Sequence, residues 1–384
     1  MIVAAFCIGA AALIAFLALE CLIGTGTDGS AVPPEWPERP AFTVLMPAHD
    51  ETLVIAAAVR AVMEQLTEFD KLLVVADNCS DDTANIARNL GADVIERVDP
   101  SLRGKGHALE FGRAFLRGQP GEVVIIVDAD CLAEPGALAK LAAVAAKYNA
   151  VVQGAYLMAP PADASTKVRI SCFAFLVKNM VRQRAMQHLA GSALLQGSGM
   201  AFPRRIFDTI EWQAASLVED LDMGLDLLLA GERVRFEEDA LFVSAASSDK
   251  GTASQRRRWE HGMLHSMRRF VPALLVRALR GNWRLALVAF DLMVPPTVML
   301  LAGALLLLPI GLATEGLSLP VLLLALALVL LGFALARAWK AEARSILPLG
   351  SVAQIPAYFF WKLPITIQFL VSREKQWIRT ERES

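Results

Sequence analysis

Asp128 and Asp130 stand one residue apart, directly after the strongly β-prone run Val123-Val-Ile-Ile-Val127. Two carboxylates at the mouth of a sheet supply the hard oxygen ligands that Mg2+ or Mn2+ prefers when it also holds substrate phosphates. The competing reading is a cap for a helix starting near Pro135. Metal binding is favoured, because like charges held side by side repel unless a cation compensates them. Two more acidic loops follow apolar runs: Ala48-His-Asp-Glu51 and Asp77-Asn-Cys-Ser-Asp-Asp82. One Asp after a strand is commonly a helix cap. Three such loops in one region point to a site.

Other segments carry chemistry that the residues alone leave open. Arg103-Gly-Lys-Gly106 surrounds a cation with glycines, which suits the approach of backbone and ammonium to a diphosphate and equally suits an exposed turn. It is neither a P-loop nor a dinucleotide fingerprint. Leu217-Val-Glu-Asp-Leu-Asp222 precedes an apolar helix, so Glu219 and Asp220 read as first-turn acids favoured by the helix dipole or as a general base. Gln255-Arg-Arg-Arg-Trp259 could bind anionic lipid head groups, or hold a departing diphosphate with an indole surface for a sugar ring.

These residues need a scaffold that gathers their loops. Phe42-Thr-Val-Leu-Met-Pro47 reads as a buried strand, Thr52 to Gln65 as a helix, Lys71 to Ala76 as a strand and Asp81 to Leu90 as a helix. The short strand Val94-Ile95, the helix Gly106 to Leu116 and the Val123 strand continue the alternation. Such alternation predicts a mostly parallel α/β sheet with helices on both faces, whose ligand sites lie beyond the carboxyl ends of the strands. The five cysteines, Cys7, Cys21, Cys79, Cys131 and Cys172, have no metal-ligand spacing and read as apolar filler.

A hydrophobic fraction of 55% over 384 residues is too high for a wholly soluble chain, and the excess lies at the two ends. Ile2 to Ile23 is long enough to cross a bilayer and reads as a retained anchor, since no Lys or Arg precedes it. Leu285 to Leu312 and Leu317 to Trp339 read as a transmembrane hairpin. Arg268, Arg269, Arg277, Arg280 and Arg284 flank it on one side, and Arg337, Lys340 and Arg344 on the other, which places the middle domain and the tail in the cytoplasm. The proline-interrupted stretch Ile346 to Val371 suits the interface rather than a straight span. The expected layout is an anchor over 1–24, a linker over 25–40, a catalytic domain over 41–270, a membrane region over 271–345, and an interfacial segment with a cytoplasmic tail over 346–384. A net charge of −2 gives no argument for nucleic acid.

From about Phe42 to about Arg269 this set of motifs resembles the inverting family 2 glycosyltransferases of GT-A fold, especially the membrane branch with the cellulose, chitin and hyaluronan synthases. The resemblance implies that Asp77 contacts the nucleotide base, that Asp128 lies by the diphosphate and that Asp130 ligates Mg2+ or Mn2+. Lys105 matches the basic loop near the nucleotide, and Pro47 and Glu51 stand on the donor side with it. Asp220 matches the catalytic base. Gln255, Arg258 and Trp259 match the Q-x-x-R-W signature facing diphosphate and acceptor, and Gly197-Ser198 resembles a loop near the acceptor. The implied donor is a nucleotide-diphosphate sugar, with a UDP-sugar expected. Three spans are few for a polymer channel, so the expected acceptor is a lipid or lipid-linked glycan in the membrane. The alternatives weighed are a processive polysaccharide synthase, a metal-dependent nucleotidyltransferase and a non-catalytic membrane scaffold.

Overall fold

The structure, a computed structural model, describes residues 1–26, 39–210, 212, 218–246 and 249–362, with backbone only over 249–258. Most of the expected linker, Leu217, the side chains of Gln255 and Arg258, and the tail from residue 363 lie outside the described residues. Two compact units are formed. One is the sheet unit, residues 39–159 and 192–246; the other is helical, residues 1–26, 160–191 and 249–362.

The sheet unit follows the expected alternation: β1 (Phe42–Ala48), α2 (Ile55–Met63), β2 (Lys71–Asp77), α3 (Thr83–Asn89), β3 (Asp93–Arg97), α4 (Lys105–Leu116) and β4 (Val123–Ile126). After these come β5 (Cys131–Ala133), α5 (Ala137–Tyr148), β6 (Val151–Ala159), β7 (Met200–Pro203), α8 (Arg204–Phe207), α9 (Glu219–Ala230) and β8 (Val234–Ala245). The strand order is β3-β2-β1-β4-β7-β6-β8-β5. Strands β1 to β4 are parallel, β7 is antiparallel to both β4 and β6, β8 runs parallel to β6, and β5 is antiparallel to β8. Every residue of β1 and β4 is buried, as expected for central strands covered on both faces. Each apolar side chain so buried contributes about 1.5–3 kcal/mol.

Strand order reverses between β1 and β4, and at such a switch point the connections diverge and leave a crevice. Pro47 belongs to this opening. The β1–β4 ladder ends at Leu45 opposite Ile126, so the missing N–H of Pro47 lies beyond that pairing.

The helical unit contains α1 (Ile2–Gly24), α6 (Thr166–Leu176), a π-turn over Val177–Val181, α7 (Arg182–Ala190), α10 (Asp249–Leu279), α11 (Arg284–Met293), α12 (Thr297–Glu315), α13 (Leu319–Glu342) and α14 (Leu349–Val352). Three of these, α1, α12 and α13, are long and apolar enough to cross a membrane. The run read as one span from Leu285 to Leu312 is instead two helices. Pro295 and Pro296 part them, since proline has no N–H for the helix ladder and disfavours helix in the preceding residue. Within the unit, α1 packs along α13 and α12. Gly24 permits the closest approach: a Cβ there would lie 1.8 Å from the Val181 carbonyl oxygen.

The polar face of α7 is buried by ion pairing. The Arg182 Nε donates to Glu20 of α1 at 2.9 Å, and its Nη2 bonds Asp291 of α11; Arg184 Nη1 donates to Glu342 of α13 at 2.7 Å. Ile170, Val298, Leu347 and Tyr358 form a second cluster, with Phe173, Trp339 and Trp361 against it. Residues 355–362 are helical, so the proline-interrupted stretch begins as two short helices.

Candidate active site

Lys105 is the first residue of α4, and β4 delivers Asp128 to meet it. The ammonium lies 2.5 Å from Asp128 Oδ1 and donates to the Gly197 carbonyl at 2.7 Å. The loop that carries Gly197 leads into β7, next to β4 in the sheet. From that loop Ser198, fully buried, accepts the Asp128 N–H on its Oγ at 3.1 Å. Gly197 has φ +96°, and a Cβ there would fall 3.2 Å from Asp220 Oδ2 and 3.4 Å from Lys105 Nζ. Glycine is thus required by both backbone and space. Asp220 enters from the first turn of α9, where the helix dipole favours negative charge.

The electrostatics are those of an acid cluster around one ammonium. Burial pulls the Lys105 ammonium down, but the charges of Asp128, Glu219 and Asp220 outweigh it and hold the group above its ordinary value. Burial raises the Asp128 carboxyl; Lys105 opposes this, and Asp130 and Asp220 add to it. The field reaches the buried Tyr156, whose hydroxyl is raised by burial and by Asp130, and which donates to Ser244 Oγ at 3.2 Å. Asp128, Asp130, Glu219 and Asp220 bring more negative charge than Lys105 neutralises. Hard carboxylate oxygens in such a setting fit a divalent Mg2+ or Mn2+.

The loops after β1 and β2 are fastened to each other. Asp50 accepts the Ser80 N–H at 2.6 Å, Thr83 Oγ1 accepts the Glu51 N–H at 2.8 Å, and Asp81 accepts the Thr52 N–H at 3.4 Å. Asp50 and Asn78 take left-handed backbone, φ 52° and 51°, as short polar side chains tolerate. Ligand atoms of Asp50, Cys79 and Asp81 lie within 4.8 Å of one another. Burial pushes the Cys79 thiol up to about 11, and a soft thiol is in any case less suited to Mg2+ or Mn2+ than carboxylate oxygens. Asp77 ends β2 nearly buried, its Oδ1 accepting Arg97 Nη1 at 2.6 Å and Asn78 Nδ2 at 3.1 Å. Arg97, at the end of β3, has no counterpart in the sequence expectations; the signal was a cation closing a strand beside an acidic loop.

Lys105, Asp128, Gly197, Ser198 and Asp220 are therefore brought together within the sheet unit, with Asp130 two residues from Asp128 in the same loop. Trp259 lies in α10 of the helical unit, its ring 5.7 Å from that of Phe175 and tilted by 33°.

Comparison with known proteins agrees with this fold. The sequence profile described as Glycosyltransferase like family 2 matches residues 40–262. A curated relative, the probable glycosyltransferase YdaM of Bacillus subtilis (strain 168), is 26% identical over 260 residues. That match covers 62% of this chain and 60% of the relative. Among solved structures, the mannosyltransferase PcManGT of Pyrobaculum calidifontis, determined with GDP-Man and Mn2+, aligns over 97% of this chain and 100% of its own. Its TM-score is 0.59 at 21% identity, a likeness of fold. With the family profile spanning more than half of its length, and a GT-A type mixed sheet beneath the acidic loops, this chain belongs to the family 2 glycosyltransferases.

Proposed function

We propose that the protein is a membrane-bound, inverting, metal-dependent glycosyltransferase that moves one sugar from a nucleotide-diphosphate sugar to a lipid or lipid-linked acceptor. The observation that carries this reading is the convergence of Lys105, Asp128 and Asp220 about Gly197. It joins a phosphate-binding cation, one acid of the metal-type pair Asp128 and Asp130, and a separate carboxylate suited to proton removal.

In this mechanism Asp220 takes the proton from the acceptor hydroxyl as its oxygen attacks the anomeric carbon. The C–O bond to the diphosphate breaks with its electron pair leaving on the phosphate, and configuration is inverted. Lys105 stabilises the charge that develops there. Mg2+ or Mn2+, held by Asp130 beside Asp128, would supply further neutralisation of the diphosphate when bound. Asp77, Glu51 and Pro47 line the donor side. Gln255, Arg258 and Trp259 serve the diphosphate and acceptor, and Gly197 and Ser198 lie near the acceptor.

Three long apolar helices among the described residues support membrane residence, and the basic residues at their ends support a cytoplasmic catalytic domain at the plasma membrane. The same number of spans favours single transfer over processive polymerisation. The purified protein in detergent should release nucleoside diphosphate from one member of a panel of nucleotide sugars. The panel includes UDP- and GDP-sugars, since the Pyrobaculum calidifontis structure holds GDP-Man. Release should require Mn2+ or Mg2+. No release from any donor, with metal and a lipid acceptor present, would overturn the proposal.

A further inference from the structure

Gln153 is fully buried on β6, far in sequence from every acidic loop, and its amide is spent on the loop that precedes β7. Nε2 donates to the Ser198 carbonyl at 2.8 Å and to the Gly154 carbonyl at 2.8 Å, while Oε1 accepts the Gln196 N–H at 2.8 Å. The ladder explains why a side chain is needed here. Strand β6 pairs with β7 only through Val152 and Gln153, and its register against β8 shifts between Gly154 and Ala155. Backbone pairing runs on as far as Gly199, whose N–H reaches the Ile126 carbonyl at 2.9 Å and whose carbonyl accepts the Gly154 N–H at 2.8 Å; beyond it the Ser198 carbonyl and the Gln196 N–H are met by the Gln153 amide. A primary amide offers one donor side and one acceptor side, as a strand backbone does, and so extends the ladder by side chain.

We propose that Gln153 is a positioning residue that holds the 196–199 loop, and through it aligns Lys105 and Asp128 for the donor diphosphate. Two bonds transmit the position: the Gly197 carbonyl holds the Lys105 ammonium, and Ser198 Oγ holds the Asp128 N–H. Removing the amide frees the loop without touching a charge at the site. The inference rests on the reading of the acid cluster as the donor site.

The test uses full-length protein in detergent, with Mn2+ and UDP or GDP as probes, titrated by calorimetry alongside a thermal melt. Gln153→Met keeps volume and removes every hydrogen bond of the amide, those to the Ser198 carbonyl and the Gln196 N–H among them. It should weaken nucleotide binding in the presence of Mn2+ by about 10–100-fold, the cost typical of losing a group that orients a metal or phosphate site. Val152→Ala, a cavity in the same strand, is the comparison for stability loss alone and should bind as wild type does. If Gln153→Met binds as tightly as wild type while both melt at similar temperatures, the inference is wrong. If wild type binds neither nucleotide with Mn2+, it is the donor-site reading that fails. Should Gln153→Met not fold, amide exchange in the wild-type protein decides: slow exchange at Gln196 and Asp128 is expected, and fast exchange at Gln196 overturns the proposal.

Discussion

At the scale of single residues, the site depends on a glycine as much as on its acids. Gly197→Ala places a methyl 3.2 Å from Asp220 and 3.4 Å from Lys105 on a backbone at φ +96°. The backbone alone costs roughly 1–2 kcal/mol, and the displaced groups are those that the proposed mechanism assigns to donor and acceptor. The expected outcome is a fall in both donor affinity and turnover, measured by calorimetry and by nucleoside diphosphate release. Asp220→Asn should behave differently, with near-normal donor affinity and a loss of transfer of about 10²–10⁴, the usual worth of a general base. Glu219→Gln is the control and should cost much less. If Asp220→Asn transfers sugar at the wild-type rate, the base lies elsewhere. The apolar patterns place Asp128 and Asp130 after a strand and Glu219 and Asp220 at a helix start, while the preference for Asp220 over Glu219 came from the family resemblance alone. The bonds that orient these acids were not legible. Lys105 meets Gly197 across 92 positions and Asp128 meets Ser198 across 70, and no local pattern encodes such pairings.

At the scale of elements, the alternation of apolar runs gave β1 to β4 and their helices to within a few residues of their ends. Pattern reading fails where burial is achieved by charge. Helix α7 is polar in sequence, yet Arg182, Gln183 and Arg184 are buried, because Arg182 pairs with Glu20 and Asp291 on two other helices. A hydropathy reading has no means of pairing residues from three separate segments. It likewise merged α11 and α12, whose apolar character continues through the Pro295-Pro296 break. Removing only the cation should be costly. Arg182→Ala leaves two buried carboxylates uncompensated, a situation typically worth about 3–5 kcal/mol. A lower melting temperature in detergent is expected, larger than for Arg205→Ala, whose pairing with Glu232 is at the surface. Equal melting temperatures for the two variants would remove the buried triad from the account of stability.

At the scale of the whole molecule, the ends of the long helices set a topology that can be checked. The Met1 ammonium lies 2.8 Å from Glu315, so the start of α1 and the end of α12 meet. At the opposite end of α1, Arg337 Nη1 donates to the Leu22 carbonyl at 2.9 Å, bringing the basic end of α13 alongside. Single cysteines introduced on the cysteine-depleted protein should be labelled from outside intact cells at Glu315, and only after permeabilisation at Arg344 and Glu134. Labelling of Glu134 from outside would place the catalytic unit on the wrong side for a cytoplasmic sugar nucleotide. The proposed orientation rests on the arginines at the helix ends, which the sequence displays, while the meeting of Met1 with Glu315 required the helices to be packed.

The proposed function requires the acid cluster around Lys105 to bind a nucleotide sugar together with a divalent cation. Calorimetric titration of the donor selected by the release assay, with and without Mn2+, tests it on wild type and on Asp130→Ala. Tight binding is expected only with Mn2+ in wild type, with loss of that metal-dependent gain in Asp130→Ala and an unchanged thermal melt for the metal-free variant. Equal donor affinity in the two proteins, with Mn2+ making no difference to either, would contradict the proposed function.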